Sequence, residues 1–160
     1  MPTENLRHRI KGIIINYLND DSNFDDVTVT KYKTEYLDWL ADNIPIVAVS
    51  VETVNAETVA IGDDATSTEK GRAYTAFVSF HCWDEVYEAE DDYEEEDDDY
   101  NTLLLADKVM NRLGHISPTS SLFASGIISW GEPVSYESNL YDVKNLRRYI
   151  VRTQIQYFHF

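Results

Sequence analysis

Tyr74-Thr-Ala-Phe-Val-Ser-Phe-His-Cys-Trp83 reads as a β-strand whose two faces constrain the packing of everything else. Side chains alternate along a strand, so Tyr74, Ala76, Val78, Phe80 and Cys82 share one face. Thr75, Phe77, Ser79, His81 and Trp83 share the other. Large apolar groups stand on both, which predicts a central strand covered on at least part of each face.

Directly after it, Asp84 to Asp99 holds twelve Asp or Glu among sixteen residues. Burying unpaired carboxylates costs several kcal/mol each, and no comparable basic run exists to pair them. Like charges recur at i, i+4 spacing, which opposes a helix. The run is therefore expected as a solvated acidic loop, dispensable for folding. It leads into Tyr100-Asn-Thr-Leu-Leu-Leu-Ala-Asp-Lys-Val-Met-Asn-Arg-Leu113. There Leu105, Ala106, Val109 and Leu113 form a stripe of helical period, with Arg112 in the last turn and Gly114 as the expected stop.

Working outward, residues 4 to 19 place Leu6, Ile10, Ile13, Ile14 and Tyr17 at helical spacing, with Thr3 as the expected N-cap. Gly12 weakens this helix and is read as a point of close approach by another element. Arg7, His8, Arg9 and Lys11 make the helix locally basic. They form either a solvated face or a contact for an acidic neighbour. Val27 to Tyr32 alternates as a short strand, and Tyr36, Leu37, Trp39 and Leu40 resemble one helical turn or a packed loop. Tyr36, Trp39 and Leu40 are either core or interface anchors.

Ile46 to Val54 is a second strand, with Val47, Val49 and Val51 on one face. The polar loop Gly62 to Gly71, containing Asp63 and Lys70, joins it to the central strand, so the two are expected as a long-armed antiparallel hairpin. Ile127 to Trp130 is a short strand, Val134 to Asn145 is read as irregular, and Arg148 to Phe160 alternates to the end. Tyr149, Val151, Thr153, Ile155 and Tyr157 are its expected inward face. The fold class is α+β: an antiparallel or mixed sheet in one domain spanning 1–160, with two helices packed on one face, a long β-hairpin arm and an acidic loop.

The totals narrow the function. A formal net charge of −16 falls to −4 once the twelve acids of the run are set aside, so the acidity is one local device. That face repels nucleic-acid phosphates. Cys82 is the only cysteine, which leaves no intrachain disulfide and no metal-binding Cys pair. No apolar stretch approaches the ~20 residues of a membrane span, and no signal peptide is evident, so an intracellular protein is expected. Histidines 8, 81, 115 and 159 lack metal-ligand spacing. The acidic run lacks the glycine that an EF-hand loop needs to turn. Glu69-Lys-Gly-Arg72 is no phosphate loop, and Gly126-Ile-Ile-Ser-Trp-Gly131 has one residue too many for a nucleophile elbow. No enzyme, cofactor or metal is expected.

One resemblance emerges from the final third. The apolar strand leading into Gly131-Glu-Pro-Val-Ser135, then Leu140-Tyr141, then an arginine-headed terminal strand, resembles the neck or tail terminator proteins of tailed bacteriophages. The earlier order of helix, long hairpin, central strand and second helix is similar to that family too. The resemblance implies a non-enzymatic virion protein at the head–tail junction, assembled in the host cytoplasm. Its copies would form a homohexameric ring that caps the tail tube, ends its polymerisation and joins it to the neck. Its partners would then be itself, the tail tube protein, a neck or connector protein and, as a further neighbour, the tail sheath. Genome DNA would pass through without specific binding, and no membrane is involved.

A ring needs two different complementary patches per subunit. Tyr36, Trp39, Leu40, Asp63 and Lys70 are the candidates for one, and Arg7 and Arg9 for the other. Asp91, Asp92, Glu94, Glu95, Glu96, Asp97 and Asp98 are the candidates for a channel lining or an acidic ring face. The competing expectation is an acidic adaptor or DNA mimic that binds a basic partner.

Overall fold

The computed structural model describes residues 6–31, 42–58, 72–86, 100–114, 122, 126–130, 134–137 and 146–159. Helix α1 (Leu6–Asn19) leads through a short 3₁₀ turn (Ser22–Phe24) to strand β1 (Thr28–Lys31). Strands β2 (Ile46–Thr58) and β3 (Arg72–Glu85) follow, then helix α2 (Tyr100–Gly114), β4 (Ile127–Trp130), β5 (Val134–Glu137) and β6 (Leu146–His159). The protein is α+β with a mixed sheet in the order β1-β2-β3-β6-β4, and β5 also pairs with β6.

The long strands carry the frame. β2 and β3 are antiparallel from Ile46↔Trp83 to Thr58↔Arg72, and β3 and β6 are antiparallel along their whole lengths. β3 is thus hydrogen-bonded along both edges. On the far side of β6, β5 pairs over Tyr149 to Arg152 and β4 over Ile155 to Tyr157. Gly126 enters β4 with φ 108°, a left-handed conformation that favours glycine. Among the described strands, only β1 is parallel to its neighbour, with Thr28 beside Ile46. A parallel pair needs a crossover rather than a tight turn, and fourteen residues separate β1 from β2.

Both helices lie on one face. Ile10, Ile14, Tyr17 and Leu18 of α1 and Leu105, Ala106, Val109 and Leu113 of α2 join one core. Val47, Val49 and Val51 of β2, Ala76, Val78, Phe80 and Cys82 of β3, and Val151, Ile155 and Tyr157 of β6 complete it. These are the stripes and faces that period 3.6 and period 2 predict. The other sheet face has its own small cluster of Ile46, Ala48, Trp83 and Leu146, so β3 is covered on both sides.

The helix C-termini hold each other. The last carbonyls of a helix lack intrahelical donors. The Arg112 guanidinium donates to the Tyr17 carbonyl (Nη2 at 3.0 Å and Nε at 3.3 Å), and the Tyr17 hydroxyl donates to the Arg112 carbonyl at 3.1 Å. The guanidinium also lies over the Tyr17 ring, 3.9 Å from its centroid, and 3.8 Å from Asp21. At the other end of α2, Thr102 Oγ1 donates to the Arg147 carbonyl at 3.5 Å.

Several sequence expectations are corrected. Val134–Glu137 is strand β5, not irregular chain. Its four residues are too few to show a period, and its partners lie farther along the chain in β6 (Val134↔Arg152 to Glu137↔Tyr149). The acidic run does not begin outside the sheet, because Asp84 and Glu85 pair with Arg147 and Leu146. Half-burial raises the Asp84 carboxyl above its ordinary range, against the lowering hydrogen bond from the Glu85 amide. Gly114 is the last helical residue rather than a stop beyond the helix. The hairpin tip Gly62–Gly71, residues 87–99 of the acidic loop and the Thr3 cap lie outside the described residues.

Gly12 is not a point of close approach, since a Cβ built there meets nothing within 4 Å. It therefore only costs helix propensity. Gly12→Ala is expected to raise unfolding stability by about 1 kcal/mol, read as a higher urea midpoint at unchanged slope. An unchanged or lower midpoint would show that the site is occupied.

Candidate functional site

The sheet face away from the helices carries polar chemistry in rows that the strand register sets. Ser50, Ser79 and Arg152 form one row across β2, β3 and β6. The register shifts between Val51 and Thr53, so Glu52 is the extra residue of a bulge. A bulge re-aims a side chain, and here the Glu52 carboxylate reaches the Ser79–Arg152 row. Ser79 Oγ donates to Glu52 Oε1 at 2.6 Å, and Arg152 Nη2 lies 3.0 Å from Glu52 Oε2. The Arg152 guanidinium also stacks over Phe77 at 4.8 Å. Both carboxylate oxygens are thus engaged, and Ser79 is fully buried with its proton committed to Glu52. A serine in that state is a structural hydrogen-bond donor, not an accessible nucleophile.

Nearer the α2 entry, His81 sits between Ala48 and Ile150, and Arg148 pairs with Trp83. Arg148 is only 5% exposed, with its guanidinium over the Trp83 ring at 5.1 Å. Burial and, to a smaller extent, the neighbouring Arg148 cation together lower the His81 pKa to about 4. His81 is therefore a neutral imidazole at neutral pH, too weak a base for proton transfer there. On the helix face Cys82 is fully buried, and burial pushes its thiol well above the usual range, so it is unreactive.

Among the described residues, two charged surfaces stand out. An open cleft of about 340 Å³ lies beside the joined helix ends, lined by Asp21, Asn23, Lys108, Asn111 and Arg112. Arg112 is already bound to the Tyr17 carbonyl there, and both signs of charge are present. The second surface is the β1 edge of the sheet, where α1 packs against β1 and β2. Arg7 is exposed, Arg9 and Lys11 are partly exposed, and Lys31 reaches across from β1. Its Nζ stands 2.6 Å from His8 Nε2 and 3.0 Å from His8 Nδ1. Neither α1 nor β1 contains an Asp or Glu.

Of the residues that the sequence singles out, Arg7 and Arg9 lie on this edge. Tyr36, Trp39, Leu40, Asp63, Lys70, Asp91, Asp92, Glu94, Glu95, Glu96, Asp97 and Asp98 fall outside the described residues. Sequence reasoning missed Lys31 as a member of the basic edge and the Glu52–Ser79–Arg152 set. Lys31 becomes basic-edge chemistry only through the α1–β1 packing. The polar set depends on a bulge that alternation does not reveal. Among the described residues, no group of three or more His, Cys, Asp or Glu could hold a metal, and no helix is long and apolar enough to cross a membrane.

Comparison with protein-family models and with characterised proteins finds no match for this chain.

Burial of a neutral His81 makes the fold acid-sensitive. The unfolded chain takes up this proton near pH 6.5, while the folded chain resists until about pH 4. Stability therefore falls as pH drops through that window, by about 3 kcal/mol in all. Asp84 acts with the opposite sign, because its raised folded pKa favours the folded state on acidification. The difference between wild type and His81→Gln isolates the histidine. The wild-type urea midpoint is expected to fall more steeply between pH 6.5 and 4 than that of the variant. Parallel curves would mean that His81 takes up its proton normally in the fold.

Proposed function

We propose that this chain is the structural subunit of a ring, formed by six copies, that caps the head-proximal end of a bacteriophage tail tube. In this role the ring ends tube polymerisation, joins the tail to the neck and lets the genome pass. The partners are further copies of the chain, the tail tube protein, a neck or connector protein and, as a further neighbour, the tail sheath. The virion head–tail junction is its place.

The order of elements is the observation that carries this reading. An N-terminal helix, a long antiparallel strand pair, a second helix and an arginine-bearing terminal strand fold into one mixed sheet with both helices on one face. That is the arrangement implied by the resemblance to tail terminator proteins. The described polar groups add support of a different kind. Ser79, Glu52 and Arg152 are closed on one another, and His81 is buried. Such a surface suits a part that is built in rather than one that turns over substrate. The acidity suits a DNA conduit, since carboxylates near the axis repel phosphate within a screening length of about 8 Å.

One feature favours a second reading, an acidic adaptor or DNA mimic that binds a basic partner. Twelve of 29 acids are concentrated in sixteen residues. Native mass spectrometry and negative-stain imaging separate the two. The ring reading expects a closed assembly of six copies of the 18.5 kDa chain. A strict monomer that binds a basic protein with steep salt dependence would replace it with the adaptor.

A further inference from the structure

We infer that the open half of the sheet face away from the helices is the wall along which the genome passes, and that Glu52 cancels the charge that Arg152 would otherwise present to it. This deepens the ring reading and rests on it. The strand register sets three rows across this half. Ser50, Ser79 and Arg152 form the first, and Phe77 and Gln154 stand in the second. Asn55, Thr75 and Gln156 form the third. Asn55, Gln154 and Gln156 are exposed, so the two outer rows present uncharged amides to solvent. Arg152 is the one cation among these residues, and its side chain is 44% exposed. An exposed guanidinium holds phosphate strongly, through paired charge-assisted hydrogen bonds. Here its Nη2 lies 3.0 Å from Glu52 Oε2, and its central carbon lies 4.8 Å from the Phe77 ring centroid. The other Glu52 oxygen accepts the Ser79 hydroxyl at 2.6 Å, so the carboxylate is held in place beside the cation.

A face of this kind gains little from being covered, because amides and hydroxyls bond water about as well as they bond a partner. It suits the water-filled side of an assembly. A polyanion moving along it meets neutral groups and one cation that is already neutralised, so nothing on the wall retains phosphate. The two charged surfaces differ in composition. The helix-end cleft sets Lys108 and Arg112 against Asp21, and the α1–β1 edge carries Arg7, Arg9, Lys11 and Lys31. In a closed ring each wall residue recurs around one axis. One unbalanced cation per subunit would then become a belt of charge facing the DNA, which gives the Glu52–Arg152 pair its purpose.

Equal changes of charge on two faces test the placement. Glu52→Gln keeps an acceptor for Ser79 but takes the counter-charge from Arg152. Asp107→Asn makes the same change of charge on the exposed side of α2. Circular dichroism and native mass spectrometry verify that each variant folds and assembles as wild type does. If Glu52→Gln does not, Gln154→Arg and Asn111→Arg, both at exposed positions, form the matched pair instead. Fluorescence anisotropy with a short DNA duplex then reads binding at ~50 mM and ~500 mM salt. Wild type and Asp107→Asn are expected to bind weakly at either salt. Glu52→Gln is expected to bind roughly tenfold or more tightly than either at the lower salt, and to lose this gain at the higher salt. Adding Arg152→Gln to it abolishes the gain. Equal affinities for Glu52→Gln and Asp107→Asn would overturn the inference. So would tight binding by wild type, or a gain that survives Arg152→Gln. Wild-type rings seen alongside any of these results leave the ring reading standing. A wild-type chain that never assembles would remove that reading and the inference with it.

Discussion

Burial of β3 on both faces is the constraint on which the rest of this structure depends. Phe80, Val78 and Cys82 on one side and Trp83, His81 and Ser79 on the other are all buried. A strand in that position must be paired along both edges, because unpaired buried amides cost about as much as a lost hydrogen bond. β2 and β6 supply those edges over nearly its full length. The two helices then cover one face with a continuous apolar core, and the reciprocal Tyr17–Arg112 contact fixes where their ends meet. The opposite face has less apolar surface, so it is settled by pairing polar groups with each other. Arg148 on Trp83 and Arg152 on Phe77 both place a cationic head over an aromatic ring of this face.

How much of this is legible in the sequence follows from the range of each interaction. The α2 stripe of Leu105, Ala106, Val109 and Leu113 and the inward face of β6 are periodic within a dozen residues, and both are read correctly. β5 is four residues long, so its strand character comes from β6 rather than from its own pattern. The parallel pairing of β1 needs a crossover that no local signal specifies. Gly12 illustrates a different failure. Glycine marks either a close approach or mere tolerance, and only three-dimensional space tells these apart. For the candidate site, Arg7 and Arg9 were visible as local basic charge, whereas Lys31 enters only through packing. Glu52 was hidden because a bulge breaks the alternation on which strand reading relies.

Charge segregation links the fold to the proposed role. Four Lys and Arg residues lie on α1 and β1, at one end of the strand order, while the acidic run stands between β3 and α2 in the sequence. A surplus of acid is also compatible with a conduit for a polyanion, which must not retain its cargo.

The central claim is that this chain ends the growth of a tail tube, and tube length is its most direct measure. Under that proposal, the cognate tube protein would be polymerised alone and with increasing amounts of this chain, and lengths would be scored by electron microscopy. The account predicts shorter tubes bearing a ring at one end only, with the number of capped tubes rising in proportion to added chain. Tubes of unchanged length with no ring at either end would contradict it.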